Sequence, residues 1–382
     1  MYYSLTDDQR QIQDLLRRVA REKVSRRADE IDRTAEYPHD MYALLKELGL
    51  FTLPFPIEYG GTGSMLSACI AIEELARVCY NTAYLLLVQW VPFGAILHGG
   101  SEEQKQRLLP GLASGEMRGA FSTTEAQSGS DVSGIRTRAV QVAGGYKING
   151  SKIWCTNSDL ADFVLVAAKY EQNGKDGISL FIVEKGTRGF TVGKKEDKIG
   201  ARGVPSCPLF LDDVFVPENN LVGGGFKAVM EAFNASRPLI GARGVGLAQG
   251  AIDHASAFVQ NRRAFGQAVS DFQGVRWMLA DMAIQTEAAR NLVYRAASLV
   301  DQSAPSAELA PIAAMAKCFA TDTAMKVATD AVQLFGAAGV SAEYSINRYF
   351  RDAKVLQIIE GTNQIQRNIV ANSLLGRVAR PS

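Results

Sequence analysis

The feature that most constrains the fold is a block of short β-strand patterns that lies between two stretches with helical periodicity. From Gly119 to about Lys227, short runs of β-branched and aromatic residues alternate with turns rich in Gly, Asn and Asp. No helical segment separates these runs, which argues against a doubly wound parallel sheet. The spacing therefore predicts a small β-barrel or sandwich domain. The runs comprise residues 146–148, 163–167, 178–183, 190–192 and 209–216.

The residues before this block predict an all-helical domain. Thr6 and Gln9 have the spacing of a helix capping box, and Ile12, Leu16 and Val19 then recur on one face of a long amphipathic helix. Gly and Pro residues separate four further periodic segments. These predicted helices span residues 39–48, 66–80, 83–97 and 102–113.

Helical periodicity returns after Gly225 and continues toward the C-terminus. Four segments with Ala-rich apolar faces, residues 226–261, 272–301, 308–335 and 347–356, are typical of close-packed bundle helices. The sequence therefore predicts an α+β multidomain fold. Its parts are an N-terminal all-α domain (residues 1–118), a middle β-barrel or sandwich domain (119–227) and a C-terminal four-helix bundle (228–382).

Composition argues against several classes of function. A net charge of +1 lacks the concentrated basic excess of nucleic-acid-binding proteins. Five scattered cysteines and three scattered histidines predict reduced thiols, with neither a disulfide frame nor a metal site. The most apolar run, residues 82–97, is short and interrupted by Gln89 and Pro92, which predicts a buried helix and no membrane span. With an amphipathic helix close to the N-terminus and no signal peptide, we expect a cytoplasmic protein.

One acidic residue occupies an unusual position near the C-terminus. Glu360 follows two isoleucines, Gly361 permits backbone angles that other residues resist, and Thr362 can cap a following helix. This pattern predicts a helix that ends, breaks and restarts, with one carboxylate directed into a cleft. If the isoleucines exclude water, the pKa of Glu360 rises toward the range of a general base near neutral pH.

Residues 359–367, Ile-Glu-Gly-Thr-Asn-Gln-Ile-Gln-Arg, resemble the catalytic-base segment of the acyl-CoA dehydrogenases. The chain length and the order helical, β, helical are also similar to that family, so the resemblance covers essentially the whole chain. It implies the acyl-CoA dehydrogenase fold, with Glu360 as the catalytic base and Gly361 as a substrate contact. Thr362 and Gln364 are implied to contact the cofactor, FAD.

The loop at residues 124–131 is similar to the family's T-E-P-x-A-G-S-D signature. The resemblance implies that Thr123 and Thr124 face the isoalloxazine ring of FAD. Gly129 and Ser130 are implied to lie near the pyrophosphate, and Ser130 also near the CoA arm of the substrate. The loop departs from the signature at positions 126 and 127, where Ala replaces the proline and a polar Gln follows.

Residues 150–157, Gly-Ser-Lys-Ile-Trp-Cys-Thr-Asn, are similar to the family's G-x-K-x-W-I-T-N motif. The resemblance implies that Trp154 packs against the flavin and that Thr156 hydrogen-bonds its reactive nitrogen, N5. An aromatic ring beside N5 excludes water from the path of the hydride.

Two segments imply that the protein is not a monomer. Residues 262–273 resemble the family's R-x-x-F-G…Q segment, so Arg262, Phe265 and Gln273 are implied to bind the FAD of a neighbouring subunit. Gln333 and Gly336 lie in a segment that looks like the family's adenine-side loop. A guanidinium group suits the first role because its planar fork bonds phosphate in a bidentate manner. The resemblance thus implies a homotetramer, a dimer of dimers.

Residues 233–238 align with a family segment whose arginine lies near the active site. Arg237 matches this arginine and is implied to contact substrate, whereas Asn234 replaces an aspartate that helps to hold CoA. One branch of the family has its catalytic glutamate immediately before the arginine. Ser236 occupies that position here, which supports Glu360 as the base.

The activity implied by the resemblance is FAD-dependent dehydrogenation of an acyl-CoA to the trans-2-enoyl-CoA, as in fatty acid metabolism. Hydride would go to flavin N5, and the electrons would then pass to an electron-transfer flavoprotein. Three alternatives stay open: a carrier-protein-bound thioester as substrate, an oxidase that uses O2, and a non-catalytic flavin-binding protein. The sequence does not identify the acyl group. Candidate residues lining its pocket are Tyr84, Trp90, Phe93 and Ile359.

Overall fold

The chain folds in the predicted order of helices, β-sheet and helices. The computed structural model describes residues 4–172 and 175–376. The first helices are α1 (Asp7–Val19), α2 (Ser25–Thr34), α3 (His39–Glu47), α4 (Met65–Ala76), α5 (Tyr80–Gly99) and α6 (Glu102–Ser114). The predicted capping box is present, because the Thr6 hydroxyl accepts from the Gln9 backbone and the Gln9 side chain accepts from Thr6 N–H.

Two helix boundaries in this region differ from the prediction. The long first helix is divided by a π-helical turn at Ala20–Val24, which widens the spiral by one residue between α1 and α2. The segment predicted as residues 66–80 ends earlier, at Ala76, and Tyr80 instead begins α5. The extended backbone of Cys79 makes this break, which apolar periodicity alone does not reveal.

The middle block is an eight-stranded sheet in the order β6-β7-β3-β2-β4-β5-β8, with β1 paired to β4. Its pairings are antiparallel except for β1 with β4 and β2 with β4, which are parallel. The strands are β1 (Gly119–Ser122), β2 (Arg138–Val142), β3 (Gly145–Thr156), β4 (Phe163–Gln172), β5 (Lys175–Glu184), β6 (Phe190–Val192), β7 (Ser206–Pro217) and β8 (Leu221–Val222). All five predicted runs are confirmed as strands, while β1, β2 and β8 were not predicted.

Strand β4 joins the sheet to the helices because both of its faces are buried. Phe163 and Leu165 belong to the large core shared with the helical parts of the chain. The alternate residues, Val164 and Val166, belong to a second core inside the β block. Successive side chains of a strand point to opposite faces, so burial of both faces produces the continuous apolar run seen in the sequence.

The C-terminal part consists of long helices around α7. The elements are α7 (Gly225–Asn261), a hairpin of β9 (Arg263–Ala264) and β10 (Gln267–Ala268), α8 (Gln273–Asp301), α9 (Ser306–Phe335), α10 (Ile346–Leu356) and α11 (Asn363–Leu375). The four predicted helices are confirmed within two residues at each end. The predicted domain limits at residues 118 and 227 remain predictions; helix α7 begins at Gly225.

Glycines allow α7 to approach its neighbours closely. A Cβ atom on Gly246 would lie 2.2 Å from the carbonyl oxygen of Glu73 in α4, and one on Gly250 would lie 2.0 Å from that of Arg77. No other residue fits at either position without movement of the backbone. The central helix is therefore held at a distance from α4 that only glycine permits.

Helix α5 is long and apolar enough, by length and composition alone, to cross a membrane. However, 78% of its most apolar window is buried inside the protein, against other helices and the sheet. Its apolar character is therefore explained by its place in the core, as predicted for residues 82–97.

Candidate active site

The turn between α10 and α11 has the predicted form of a helix end, a break and a restart. Glu360 has φ of 54° and Gly361 has φ of 87°, so two successive residues adopt the left-handed region. A residue with a Cβ atom rarely adopts this conformation, and it costs of order 1–3 kcal/mol where the surroundings enforce it. Thr362 caps α11, since its hydroxyl accepts a hydrogen bond from Ile365 N–H at 3.3 Å.

Side chains from α9 and α11 hold this turn in place. Lys317 of α9 is fully buried, and its Nζ donates to the carbonyl of Gly361 at 2.9 Å and to Oδ1 of Asn363 at 2.7 Å. Gln366 Nε2 donates to the same Gly361 carbonyl at 3.0 Å. Lys317 was not predicted as a site residue. The signal that could have indicated it is a single lysine within the Ala-rich apolar face of α9. Gln364 is exposed on α11.

One oxygen atom of the Glu360 carboxylate, Oε2, is buried without a hydrogen-bond partner among the described residues. Burial raises the pKa of Glu360, and the positive charges of Arg243, Arg237 and Lys317 oppose the increase. The group is thus a carboxylate surrounded by buried cations, with an oxygen available to a ligand.

Two arginines of α7 face this carboxylate. Arg237 is buried and donates through Nη1 to Oδ1 of Asn234, while Asn234 donates to Oγ of Ser306 at 3.3 Å. Burial lowers the pKa of Arg237 to about 10. Arg243, one turn and a half further along α7, is fully buried. It was not predicted as a site residue, because its role depends on what α5 places opposite it.

Helix α5 connects the Glu360 side of the site with strand β3. The Tyr84 hydroxyl lies 3.5 Å from Oγ1 of Thr156, which lies 3.2 Å from Oγ of Ser206 in β7. The negative charge of Glu360 also acts on Tyr84, which locates the two side chains in one region. The predicted residues Glu360, Arg237 and Thr156 therefore lie in one region, together with Tyr84.

The other residues predicted to line the acyl pocket make packing or hydrogen-bond contacts within the protein core. Trp90 donates through Nε1 to the carbonyl of Phe51 at 2.8 Å, and Phe93 packs on Phe55 with ring centroids 3.9 Å apart. Ile359 is partly buried against the main core.

A buried ion pair fixes the loop that contains Thr123 and Thr124. Lys152 Nζ lies 2.7 Å from Oε1 of Glu125, and both side chains are nearly inaccessible to solvent. Lys152 also donates to the Thr123 carbonyl at 3.2 Å. Burial works against the charge of Glu125, but hydrogen bonds from Lys152 and from the 136–137 backbone bring the pKa of Glu125 down to about 2.

The polar residue at position 127 completes this arrangement. Gln127 Nε2 donates to Oε2 of Glu125 at 2.7 Å, so it satisfies the second carboxylate oxygen. The Ile153 N–H donates to the carbonyl of Thr124 at 2.9 Å and ties the loop to β3. Neither Glu125 nor Lys152 was assigned a role from the sequence, although both lie within the matched motifs.

The loop and β3 present residues that suit a planar cofactor. Thr123 and Thr124 are half-buried beside β3, and Trp154 is 52% exposed with φ of 59°. The strained backbone leaves about half of the Trp154 side chain exposed, and a flat ring system can pack against such an aromatic ring. Gly129 and Ser130 are exposed at the outer end of the loop. These residues fit the predicted flavin site.

The residues implied to bind a neighbouring subunit's cofactor lie elsewhere. Phe265 is 97% exposed, and no hydrogen bond or ion pair within residues 4–172 and 175–376 connects this group to the Glu360 turn. They lie on the surface at the ends of α7 and α9 and the start of α8: Arg262, Phe265, Gln273, Gln333 and Gly336. Within those same ranges no cluster of His, Cys, Asp and Glu could hold a metal ion.

Comparison with known proteins identifies the family. The family model for the N-terminal domain of acyl-CoA dehydrogenases matches residues 6–116, that for the middle domain residues 120–214, and that for the C-terminal domain residues 223–375. A cyclohexane-1-carbonyl-CoA dehydrogenase of Geobacter metallireducens is 40% identical over 99% of this chain and 100% of its own length. A short-chain specific acyl-CoA dehydrogenase of Clostridium acetobutylicum is 39% identical over 98% and 100%.

Solved structures give the same result. The butyryl-CoA dehydrogenase of Megasphaera elsdenii matches with a TM-score of 0.94 and 38% identity, over 98% of this chain and 100% of the other. A chain from a study of the electron transferring flavoprotein of Acidaminococcus fermentans matches with 0.93 and 40%, over 98% and 100%. A glutaryl-CoA dehydrogenase of Mycobacterium smegmatis in complex with FADH2 matches with 0.91 and 27%, over 98% and 96%. The chain therefore belongs to the acyl-CoA dehydrogenase family of FAD-dependent oxidoreductases.

Proposed function

We propose that this enzyme converts an acyl-CoA to the trans-2-enoyl-CoA with Glu360 as the catalytic base. The observation that carries the proposal is the buried, unpartnered Oε2 of Glu360 in a turn whose backbone is held in the left-handed region. A buried lysine fixes the turn through the carbonyl of Gly361, and the strained Glu360 in that turn presents a free carboxylate oxygen, which is an arrangement suited to a ligand.

The residues of the turn suit removal of the proton on the carbon next to the thioester. The raised pKa makes Glu360 a better proton acceptor than an ordinary carboxylate, and the positive charges of the nearby cations oppose the increase. The backbone N–H of Glu360 makes no hydrogen bond with any described residue, so it is free to donate to the thioester oxygen. One such donor typically contributes about 2.7–4 kcal/mol to the stabilisation of a developing oxyanion. Bound FAD would supply the acceptor for the hydride from the β-carbon.

The cofactor would be held on two sides. Thr123, Thr124, Trp154 and Thr156, with Gly129 and Ser130 at the pyrophosphate, form the side within the chain. The second side comes from another subunit through the exposed residues at the ends of α7 and α9. Exposed Phe265, Trp277 and Ile284 support such an interface, because large apolar side chains are more often covered in the assembled protein. We infer a homotetramer built as a dimer of dimers.

We also propose an electron acceptor and a location. An electron-transfer flavoprotein is proposed as the electron acceptor, supported by the match to a chain from a study of such a flavoprotein. We place the reaction in the cytoplasm. Two chemically distinct alternatives remain testable: an oxidase would reoxidise rapidly in air without the flavoprotein acceptor, and an enzyme for carrier-bound substrates would be inert toward every acyl-CoA.

The proposed base is tested by the substitution Glu360→Gln, which keeps the shape and removes the proton acceptor. We expect FAD content and substrate binding to be retained and turnover to fall by about 10²- to 10⁴-fold, the usual contribution of a general base. The measurement is steady-state turnover together with the dissociation constant of the acyl-CoA. A rate near that of the wild type would rule out Glu360 as the base.

A further inference from the structure

A lysine outside the predicted motifs is connected to the proposed cofactor site by hydrogen bonds. It belongs to residues 197–205, here called the strap, which run between β6 and β7. The strap is fixed from two helices: Asp352 Oδ1 of α10 accepts from Ala201 N–H at 2.7 Å, and Asn81 Oδ1 of α5 accepts from Gly203 N–H at 3.0 Å. Side chains of the strap therefore start from a backbone that is held in place.

Lys198 of the strap begins a row of hydroxyl groups that ends at the proposed cofactor site. Its Nζ atom donates to the carbonyl of Val204 and, at 3.2 Å, to Oγ of Ser206. Ser206 Oγ lies 3.2 Å from Oγ1 of Thr156, and the Tyr84 hydroxyl lies 3.5 Å from the same atom. Thr156 is one of the residues proposed to hold the flavin. The row thus joins a cation to a cofactor contact through one serine.

The ammonium group sets the direction of the hydrogen bonds along this row. An ammonium has three donors and no acceptor, whereas each hydroxyl has one hydrogen and two lone pairs. Because Lys198 donates to Ser206, the hydrogen of Ser206 is left for Thr156. Thr156 then accepts from Ser206, and its own hydrogen is available to an acceptor in the flavin. A neutral lysine has a lone pair and would permit the opposite direction, so the charge of Lys198 maintains this order.

The charge of Lys198 depends on pH near the physiological range. Burial lowers the pKa of Lys198 to about 8, and the positive charge of Lys195 acts in the same direction. Three groups on neighbouring elements oppose the decrease: Cys207 in β7, Asp159 after β3 and Asp352 in α10. Lys198 is therefore mostly charged at pH 7 and loses its charge as the pH rises through about 8.

From this geometry we infer that Lys198 is a positioning residue for the reaction: through Ser206 it directs the hydroxyl hydrogen of Thr156 toward N5 of bound FAD, and its charge favours the reduced cofactor. The inference rests on the proposed function and adds a residue to it. The hydride from the β-carbon carries two electrons and one negative charge to N5, while the neighbouring proton goes to Glu360 and the two carbons become doubly bonded. A positive charge within a few hydrogen bonds stabilises that negative charge, by roughly 10-fold in the equilibrium constant.

The simpler explanation is that Lys198 only ties the strap to β7 through Val204 and Ser206. A residue with that role alone acts through its hydrogen bonds, so a neutral donor of similar length would replace it. Lys198→Gln provides such a donor, because glutamine has an N–H group and no charge. The effect of this substitution on the redox equilibrium of the flavin therefore separates the two roles.

The test measures the midpoint potential of the flavin in the FAD-loaded protein, by anaerobic reduction together with a reference dye and without any thioester. We expect Lys198→Gln to disfavour reduction by roughly 10-fold in the equilibrium constant, or about 30 mV for a two-electron couple. Ser206→Ala interrupts the row but keeps the charge and should give a smaller decrease. The matched control is Lys194→Gln, the same change at an exposed lysine, which should leave the potential unchanged.

The wild type alone gives a second test through the pH dependence of its potential. If reduction raises the pKa of Lys198, one additional proton is bound on reduction at pH values above the pKa in the oxidised protein. The potential should therefore fall more steeply above about pH 8, by a further 10-fold in the equilibrium constant, or about 30 mV, per pH unit. Below that pH Lys198 is charged in both states and adds no slope. The steeper part should be absent in Lys198→Gln.

The outcomes distinguish this inference from the proposed function. Equal potentials of Lys198→Gln and Lys194→Gln, or a wild type whose potential does not become steeper above pH 8, would overturn the role of Lys198 while the dehydrogenase assignment stands. If the potentials behave as expected but no acyl-CoA bleaches the wild type, the proposed function fails although the effect of Lys198 on the cofactor stands. The pH dependence of the wild type decides the question even if a variant does not fold.

Discussion

At the scale of single residues, the site depends on two buried carboxylates whose pKa values are shifted in opposite directions. Burial raises the pKa of Glu360, and no hydrogen-bond donor among the described residues reaches its Oε2 atom. Burial acts in the same direction on Glu125, but Lys152, Gln127 and two backbone N–H groups satisfy that carboxylate and lower its pKa to about 2. Hydrogen bonding to the charged form thus separates a structural carboxylate from the proposed base.

The Glu125–Lys152 pair predicts a specific dependence of stability on pH. Because the pKa of Glu125 is lower in the folded chain than its ordinary 4.5, the stability it contributes is present above pH 4.5 and lost as the pH falls toward 2. Glu125→Gln leaves Lys152 buried without its partner and should lower the free energy of unfolding by about 3–5 kcal/mol at neutral pH. The measurement is denaturant unfolding at a series of pH values.

The matched control for this pair is Glu343→Gln, which alters an exposed carboxylate. It should change the unfolding free energy by less than about 0.5 kcal/mol. The ion pair would not anchor the loop if Glu125→Gln changed the free energy of unfolding as little as the control does. The same conclusion would follow if the variant still lost as much stability as the wild type between pH 4.5 and 2.

Sequence patterns predict some of these residues and not others, for a physical reason. Glu360, Gly361 and Thr362 were predicted because a helix end, a break and a cap are local signals. Lys317 and Arg243 were not, because each is an ordinary residue of a helix until another helix brings its partners. A pattern within one helix gives no information about which residues of another helix contact it.

At the scale of elements, α7 organises the C-terminal part and carries both arginines whose charges act on Glu360. Its bounds were predictable because a long Ala-rich apolar pattern ends at Asn261. Strands β1 and β2 were not predicted because their sequences show little alternation of β-branched residues. They are extended because β1 pairs with β4 and β2 pairs with β3. The close contact of α7 with α4 was likewise not predicted, because its only signal in the sequence is the pair Gly246 and Gly250.

This contact predicts that Gly246→Ala destabilises the protein. In an open helix the change would be favourable by about 1 kcal/mol. Here the new Cβ atom would lie 2.2 Å from the backbone oxygen of Glu73, and forcing the helices apart should instead lower the free energy of unfolding by about 1–3 kcal/mol. The control is Gly274→Ala in α8, where a Cβ atom meets no atom of the described part of the chain within 4 Å. Equal stability of the two variants in thermal or denaturant unfolding would contradict the role of Gly246.

At the scale of the whole molecule, the site is formed where all three parts of the chain meet. Helix α5 supplies Tyr84, strand β3 supplies Thr156, helix α7 supplies the arginines, and the turn between α10 and α11 supplies Glu360. The order of the parts was predictable from hydrophobic periodicity, which reports burial along the chain. Which residues of different parts touch was predictable only through resemblance, because periodicity carries no information on long-range contacts.

The proposed assembly makes a prediction at this scale. Arg262→Ala should weaken retention of FAD, because this exposed guanidinium is proposed to bind the cofactor of a neighbouring subunit. Loss of a charge-assisted hydrogen bond corresponds to about 1.5–3 kcal/mol, or roughly 10- to 100-fold in the dissociation constant of FAD. Arg263→Ala, at the adjacent exposed position, is the control and should bind FAD normally. The ratio of flavin to protein after gel filtration, with the mass of the assembly, measures both, and full FAD occupancy in Arg262→Ala would refute the cross-subunit contact.

The most direct test of the central claim is an anaerobic titration of the purified enzyme with acyl-CoA thioesters, followed through the visible absorption of the flavin. We expect the wild type to lose the oxidised band with at least one class of thioester, and Glu360→Gln to bind the same thioester without losing the band. A yellow wild-type protein that no acyl-CoA bleaches, or a Glu360→Gln variant that bleaches at the wild-type rate, would contradict it.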